Sequence, residues 1–464
     1  MVQQSDVFLF KSSKESLGNL SELDWQLLPW KKVEKFISLV QQKIYKATLQ
    51  SDYKSLYELQ YFLSNSYAIK LFAVKQITEN KYYTSASSIK INVLNSLQKL
   101  NIASTLDLSY YQCDKFQEEL NIELKLIHDK SLELVLYLCL KPEWEAKFKL
   151  LNNEYLFNSH IKELIKNIAF SINNSKFKKN FYVLVAEIEL QNQIVYKDYL
   201  VKMLKTNTIF EKCITKFLTN NPAHSLCFKK IDIPFGKLDR YDLAQLLSYI
   251  LLFNIKLELL SGYTGDVNSV NSFFKYQNHL LYFSDSLFAL NTYLVKLKSA
   301  LVKRGLMYDL KKTRCLTKHQ SIRFLGFNIL PKFLLVNENL VNQLIISACK
   351  EEMKLVLSRI RYLLRSRHED GKTRARTNMP LSKAIDLINP LVINWRNYYF
   401  SIIPNSVLEN MDKLLNEKIY RWYIKRLKKN RVTHWNKQCI QMINNKKRIA
   451  HDIYILELFS ETTD

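Results

Sequence analysis

"LLYFSDSLFAL" (280–290) sets a single acidic residue, Asp285, between two apolar, aromatic-rich runs. The Leu, Tyr and Phe on either side read as two short strands, and Ser284–Asp285–Ser286 as the turn that joins them. Together with "FYVLVAEIEL" (181–190) and "RFLGFNIL" (323–330), which have strand composition, this stretch puts a sheet in the middle of the chain. A lone carboxylate at the tip of such a hairpin is either a solvated turn residue or one ligand of a metal site whose other members lie elsewhere.

Helical patterns flank that centre. "WKKVEKFISLVQQKIYKATLQSDYKSLYELQYFLSNSYAIKLFAVKQIT" (30–78) gathers Val33, Phe36, Ile37, Val40 and Ile44 on one face and leaves Lys31, Lys32, Lys35 and Lys43 off it. Gln50–Ser51–Asp52 marks a break before a second helix that runs to about Ile77. The segment 79–120 is polar and weakly patterned. "LELVLYLCLKPEWEAKF" (132–148) opens as a buried helix that a proline closes, and "LAQLLSYILLFNIKLELL" (243–260) reads as one strongly apolar helix. From 333 onward the pattern is almost wholly helical and basic. The fold class is therefore mixed α+β, with helices at both ends.

Composition bears on partners. The 464 residues suffice for two to four domains, and 68 Lys and Arg against 43 acidic residues leave a net charge of +25. Such an excess suits a polyanion, most commonly a nucleic acid. AT-rich codons alone would enrich Lys, Asn, Tyr and Phe, but they do not explain clustering: 354–448 holds 22 basic and 6 acidic residues, a local net of +16. The 27 Tyr and 25 Phe could supply stacking surfaces for unpaired bases. With only 7 Gly there is no glycine-rich phosphate loop. The seven Cys never form a CxxC pair and the His are scattered, which speaks against zinc and for a reduced compartment. No apolar run is long enough to span a membrane. "MVQQSDVFLFKSSKESLGNL" (1–20) lacks the look of a transit peptide, so a chain working in an organelle is expected to be made there.

Four blocks, in order along the chain, resemble the group II intron-encoded reverse transcriptase/maturases. "WKKVEKFISLVQQKIYKA…AIKLFAVKQIT" is similar to their N-terminal segment, and "LKPEWEAKF" (140–148) to a block in the fingers. "GLMYDLKKTR…IRFLGFNIL" (305–330) resembles the palm segment leading to the primer grip, and "LINPLVINWRNYYF" (387–400) the hallmark of the maturase, or X, domain. The Lys/Asn-rich style most resembles the maturase-like proteins of euglenid plastids. The resemblance implies a degenerate right-hand core: a helical N-terminal segment (1–80), fingers and palm (81–332), a helical thumb (333–374) and an RNA-binding maturase domain (375–464), the last two all-α.

In that family a strand–turn–strand with Tyr-Ala-Asp-Asp at its turn lies about thirty residues before the "KTR…FLGF" block. The resemblance puts Tyr282, Phe283, Ser284 and Asp285 at those positions, and Glu187 at the other essential aspartate. Templated polymerisation needs two Mg²⁺ ions held by carboxylates. A neutral Ser284 and a longer Glu187 side chain do not meet that need, so Glu187, Ser284 and Asp285 are expected to be relics. The Pro-Gln-Gly of the nucleotide pocket is reduced to Pro234–Phe235–Gly236, and "NIELKLIHDKSLE" (121–133) lacks the basic residues and prolines expected ahead of the finger block. The chain ends without a Cys/His-rich nuclease segment, so DNA cleavage is not expected either.

What the resemblance retains is the basic, aromatic C-terminal region. The RNA contacts expected there are Arg359, Arg361, Arg365, Arg374 and Arg376; Arg396 and Tyr398; and Arg421, Lys425, Arg426, Lys428, Lys429 and Arg431 in "YRWYIKRLKKNRVTHWNK" (420–437). Lys31, Lys32, Lys35 and Lys43 add a basic helix face. Solvated helix faces are the plain alternative, and Trp395 and Tyr399 read as core aromatics of a helical bundle. The expected function is a splicing factor that binds a structured group II or derived group III intron RNA in organellar pre-mRNA and promotes its folding and excision. No cofactor is bound by the protein, and Mg²⁺ serves the RNA. Other splicing proteins are further partners, a membrane is not, and the compartment is the plastid stroma, with the mitochondrion as alternative. A general binder of organellar transcripts or ribosomes and an active reverse transcriptase are the competing readings.

Overall fold

The computed structural model describes residues 22–79, 94–108, 122–150, 161–174, 182–220, 243–260, 273–276, 278–284, 286–317, 320–336, 339–367, 373–426, 431–443 and 446–461. The chain opens with helices α1 (Glu22–Leu27), α2 (Trp30–Leu49), α3 (Tyr53–Asn65), α4 (Tyr67–Glu79) and α5 (Ser96–Thr105). Val33, Phe36, Ile37, Val40 and Ile44 are all buried in α2, as their period requires. The break after α2 comes where expected. Ser51 turns to a left-handed φ of 57°, and Asp52 caps α3 by accepting from the Ser55 amide at 3.1 Å. The expected second helix is two helices, because Ser66 is extended and separates α3 from α4.

Helix α6 (Ile122–Leu150) runs straight through Pro142, which therefore does not close it. Beyond the proline, Trp144 and Phe148 are buried and pack against Phe253 with ring centroids 5.4 and 5.5 Å away. That packing offsets the hydrogen bond proline cannot donate. Next come α7 (Ile161–Asn174), strand β1 (Tyr182–Leu190), α8 (Gln193–Leu204), α9 (Thr208–Asn220), α10 (Leu243–Leu251) and α11 (Ile255–Leu260). The single apolar helix expected over 243–260 is divided at Asn254, whose φ of 60° a helix cannot hold.

Strands β2 (Phe273–Tyr276) and β3 (His279–Ser284) form a hairpin, followed by α12 (Leu287–Lys303), β4 (Leu306–Tyr308) and β5 (Arg314–Thr317). The antiparallel order is β2-β3-β1-β4, with β5 also paired to β1. Only the first half of the opening stretch is therefore a strand; Leu287–Leu290 is the first turn of α12, not a second strand. Ser286 is the N-cap, accepting from the Ala289 amide at 3.1 Å, and the Ser284 hydroxyl donates to the Ser286 carbonyl at 3.0 Å. A short apolar run has no period that separates strand from helix, and here the cap decides. At the end of α12, Gly305 (φ 70°) packs where an added Cβ would lie 2.5 Å from the Asn192 carbonyl oxygen, pinning α12 against the β1–α8 turn.

Alternate residues of the sheet enter two cores. Leu184, Ala186, Ile188, Leu280 and Tyr282 join the N-terminal helices, whereas Val183, Leu281 and Phe283 join α7 and the C-terminal half. That half begins with an antiparallel sheet, β6 (Ile322–Phe324), β7 (Phe327–Val336) and β8 (Asn339–Ala348). Leu325 and Gly326, with φ of 49° and 75°, make the tight turn between β6 and β7. Residues 333–348 are thus mostly strand, correcting the expected helical thumb. Leu340, Val341, Leu344 and Ile345 recur at helical spacing, but backbone pairing to β7 prevails.

Then follow α13 (Lys350–Leu363), the hairpin β9 (Arg365–Arg367) and β10 (Thr373–Ala375), α14 (Leu381–Tyr399), α15 (Asn405–Tyr423), a 3₁₀ turn (Ile424–Arg426) and α16 (Arg431–Gln438). A small sheet of β11 (Ile440–Ile443), β12 (Lys446–His451) and β13 (Tyr454–Ile455) ends it, so the C-terminal region is not all-α. One core joins Leu164, Phe283, Ile329, Val356, Trp395 and Phe459. The expected boundaries at 332/333 and 374/375 fall inside it.

Candidate nucleic-acid interface

A cleft of about 510 Å³ opens between α13, the β9–β10 hairpin, α15 and α16. Arg361, Arg365, Lys418, Arg421, Lys425 and Arg431 line it over a floor that includes Leu364 and the buried Trp422. On α15, Lys418 and Arg421 are three residues apart and so share one face, and Lys425 follows in the 3₁₀ turn. Arg361 sits in the last turn of α13, where the helix dipole favours a cation. The hairpin wall is held by the Arg365 guanidinium, which donates to the Thr373 carbonyl at 2.8 Å, and by Arg376, whose Nε donates to the Arg365 carbonyl at 3.1 Å. No carboxylate lines the cleft among the described residues. Glu417 pairs with Arg421 one helical turn away, leaving the lining strongly positive. Six cations brought together this way repel one another, and a polyanion relieves that repulsion.

Five of the six, Arg361, Arg365, Arg421, Lys425 and Arg431, are among the residues picked from the sequence. Lys418 was missed, although its spacing to Arg421 and Lys425 marks it. Arg374 is exposed on β10 and Arg359 half-buried on α13. Arg426 ends the 3₁₀ turn, and Lys428 and Lys429 lie outside the described residues. On α2, Lys31, Lys32, Lys35 and Lys43 are exposed and, at 3.6 residues per turn, share an arc of roughly 120° with Lys46, opposite the buried stripe.

Two expected RNA contacts face inward. Arg396 is 2% exposed; its guanidinium pairs with Glu457 at 2.9 Å and donates to the Leu458 carbonyl at 2.9 Å. Tyr398 donates to the Leu325 carbonyl at 2.9 Å and stacks on Phe327, and burial holds its phenol well above the ordinary range. Both hold α14 against the C-terminal segment and the β6–β7 turn, so neither is available to RNA. Trp395 and Tyr399 are fully buried.

Of the expected relic positions, Ser284 and Glu187 do not converge either. Ser284 pairs with Tyr182 at one end of the β1–β3 ladder, while Glu187 pairs with His279 at the other, about 16 Å away by strand rise. Asp285 and the segment Pro234–Phe235–Gly236 lie outside the described residues. Next to Glu187 is the β2–β3 turn, with the Asn278 amide 3.5 Å from the Glu187 carboxylate. Glu187, Glu189 and Asp309 all face the Lys312 ammonium, at 3.0, 3.1 and 3.3 Å. Burial pulls the Lys312 pKa down, but the hydrogen bonds it donates to Glu187 and Glu189 and their charge outweigh it and hold the ammonium above its ordinary range.

Comparison with known proteins agrees with this arrangement. Residues 25–106 match the N-terminal domain of reverse transcriptase, and residues 353–440 match the maturase-specific domain of group II introns. These matches support a place in the group II intron maturase family. The chain is also similar to Maturase-like protein 1 of Euglena gracilis, 21% identical over 388 residues, which cover 81% of this chain and 77% of the relative. All six cleft cations fall within the maturase-specific match, as do Trp395 and Arg396. The reverse-transcriptase match contains the lysine face of α2. Among the described residues no helix is long and apolar enough to cross a membrane.

Proposed function

We propose that this maturase is a splicing cofactor without polymerase activity, and that it binds structured intron RNA along the basic cleft and helps it reach the excision-competent fold. The single observation that carries this reading is the convergence of six cations from five elements of the maturase-specific region, with no carboxylate in the lining among the described residues. Phosphate binding would offset their repulsion, and stacking on nearby aromatics suits unpaired nucleotides. The transesterification chemistry stays with the RNA and its own Mg²⁺. The maturase-like relative from Euglena gracilis supports a plastid setting, the mitochondrion being the alternative.

Loss of the polymerase site follows from the same reading. We take the central sheet as a remnant palm, with the β2–β3 turn as the counterpart of the Tyr-Ala-Asp-Asp hairpin. Its tip reads Tyr276–Gln277–Asn278–His279, without a carboxylate. The neighbouring donor set does not suit a pair of Mg²⁺ ions: an amide and an imidazole stand near Glu187, and the Lys312 ammonium already lies among the carboxylates.

The test is splicing of the intron RNA that co-purifies with the chain, at Mg²⁺ too low for efficient self-splicing. The protein should stimulate excision, and Arg361→Ala/Arg421→Ala should abolish the stimulation with the fold intact by circular dichroism. Equal stimulation by this variant overturns the reading, and binding without any stimulation would favour a general RNA-binding role.

A further inference from the structure

Across α15 from the basic cleft lies a second cavity, of about 320 Å³, at the low end for small-ligand sites and large enough for a single base. Asn416, Glu417 and Tyr420 contribute from α15, Trp435 from α16, and Lys447 and Arg448 from β12. Tyr420 and Trp435 meet edge to face with ring centroids 5.4 Å apart. Two buried polar atoms on this lining have no hydrogen-bond partner, the Asn416 Oδ1 acceptor and the Arg448 Nε–H donor. Arg448 is otherwise fixed, donating to the Leu456 carbonyl and pairing with Glu461. Native interiors seldom leave two such groups at one place unless something else meets them. Glu417 adds a carboxylate and joins the two cavities, since it also pairs with Arg421 of the cleft. Lys447 is exposed on the same lining.

We propose that this cavity receives one unpaired base of the RNA whose phosphates follow the basic cleft. The inference rests on the RNA-binding reading of that cleft. Tyr420 offers the stacking face that splayed-out bases use. Asn416 Oδ1 and the Glu417 carboxylate accept, and Arg448 Nε–H donates. A base with an exocyclic amine beside an acceptor complements that set, and guanine, with two neighbouring N–H donors and O6, does so most fully. Uracil has one N–H donor and two acceptors and fits it poorly. The site would therefore discriminate where the cleft, which meets phosphates, does not.

The experiment uses the full chain and a stem–loop RNA with one bulged nucleotide, G, A, C, U or abasic, against the fully paired stem–loop, read by fluorescence anisotropy. The G-bulged RNA should bind about tenfold tighter than the U-bulged or abasic one, the scale of one or two hydrogen bonds to a base. Asn416→Leu removes the acceptor at similar volume. It should erase that preference, leave affinity for the paired stem–loop unchanged and not lower the melting temperature. As a second measurement independent of that variant, 6-thioguanosine at the bulge should photocross-link to residues 416–420 or to Trp435. Equal binding of all bulges, a preference that survives Asn416→Leu, or cross-links confined to other residues overturns the proposal. Failure of the RNA-binding reading looks different, because the paired stem–loop then shows no salt-dependent binding that Arg361→Ala weakens.

Discussion

The Lys312 ammonium stands 3.0 Å from the Glu187 carboxylate, although the two residues are 125 positions apart in the chain. Glu189 and Asp309 complete the ring, so one lysine compensates three carboxylates at the end of β1. An ammonium at this point removes the need for a metal ion there. In Lys312→Met the three carboxylates face one another uncompensated, and the melting temperature should fall at neutral pH. Millimolar Mn²⁺ should then raise it in the variant and not in the wild type, because hard oxygen ligands left without a counter-charge bind divalent cations. A variant as stable as wild type, or indifferent to Mn²⁺, would show that the ring is not held together by charge.

His279, opposite Glu187 on β3, responds to pH in a definite direction. Burial depresses its pKa below the ordinary 6.5, opposed by the Glu187 charge and aided by that of Lys312. An imidazole with a lower pKa when folded takes up a proton on unfolding. Its contribution is therefore complete above pH 6.5 and is lost as the pH falls below that value. Between pH 7.5 and 5.5 the wild type should lose more thermal stability than His279→Gln does. Equal losses would mean that other groups govern acid stability.

Arg396→Ala tests an inversion of what the sequence suggested. Removing the guanidinium leaves Glu457, which is partly solvated, and the Leu458 carbonyl unpaired. The expected cost is about 2–4 kcal/mol in urea unfolding of the C-terminal half. RNA affinity of the folded fraction should not change. Selective loss of intron affinity without destabilisation would restore Arg396 as an RNA contact.

Salt should reveal how many cations work. At about 0.7–0.9 per neutralised phosphate, six contacts give a slope of log affinity against log salt of about −4 to −5. Lys418→Ala and Lys425→Ala should each flatten the slope by about one contact on every structured RNA tried. A flat response would mean that the cleft does not track a phosphate backbone.

Truncation at residue 374 does not isolate a domain. Trp395, Tyr399 and Phe459 share a core with Phe283 and Ile329, so a 1–374 fragment should expose apolar surface and bind a hydrophobic dye, whatever its RNA affinity.

The sequence by itself determined the family resemblance, the amphipathic character of α2 and the basic density of 354–448. These are local properties: a period of 3.6 residues along one helix, or a count of charges over a fifth of the chain. It also marked five of the six cleft cations, because exposed basic residues at helical spacing need no distant partner to define them. Only the tertiary structure decided which half of "LLYFSDSLFAL" is strand, since the Ser286 cap and the pairing of β3 with β1 lie outside the apolar pattern. It set Asn278 and His279, not Ser284, beside Glu187, a register that depends on backbone partners about ninety residues away. It also turned Arg396 inward, because whether a cation meets solvent or a carboxylate depends on Glu457, 61 positions further on, and no short-range pattern carries that information.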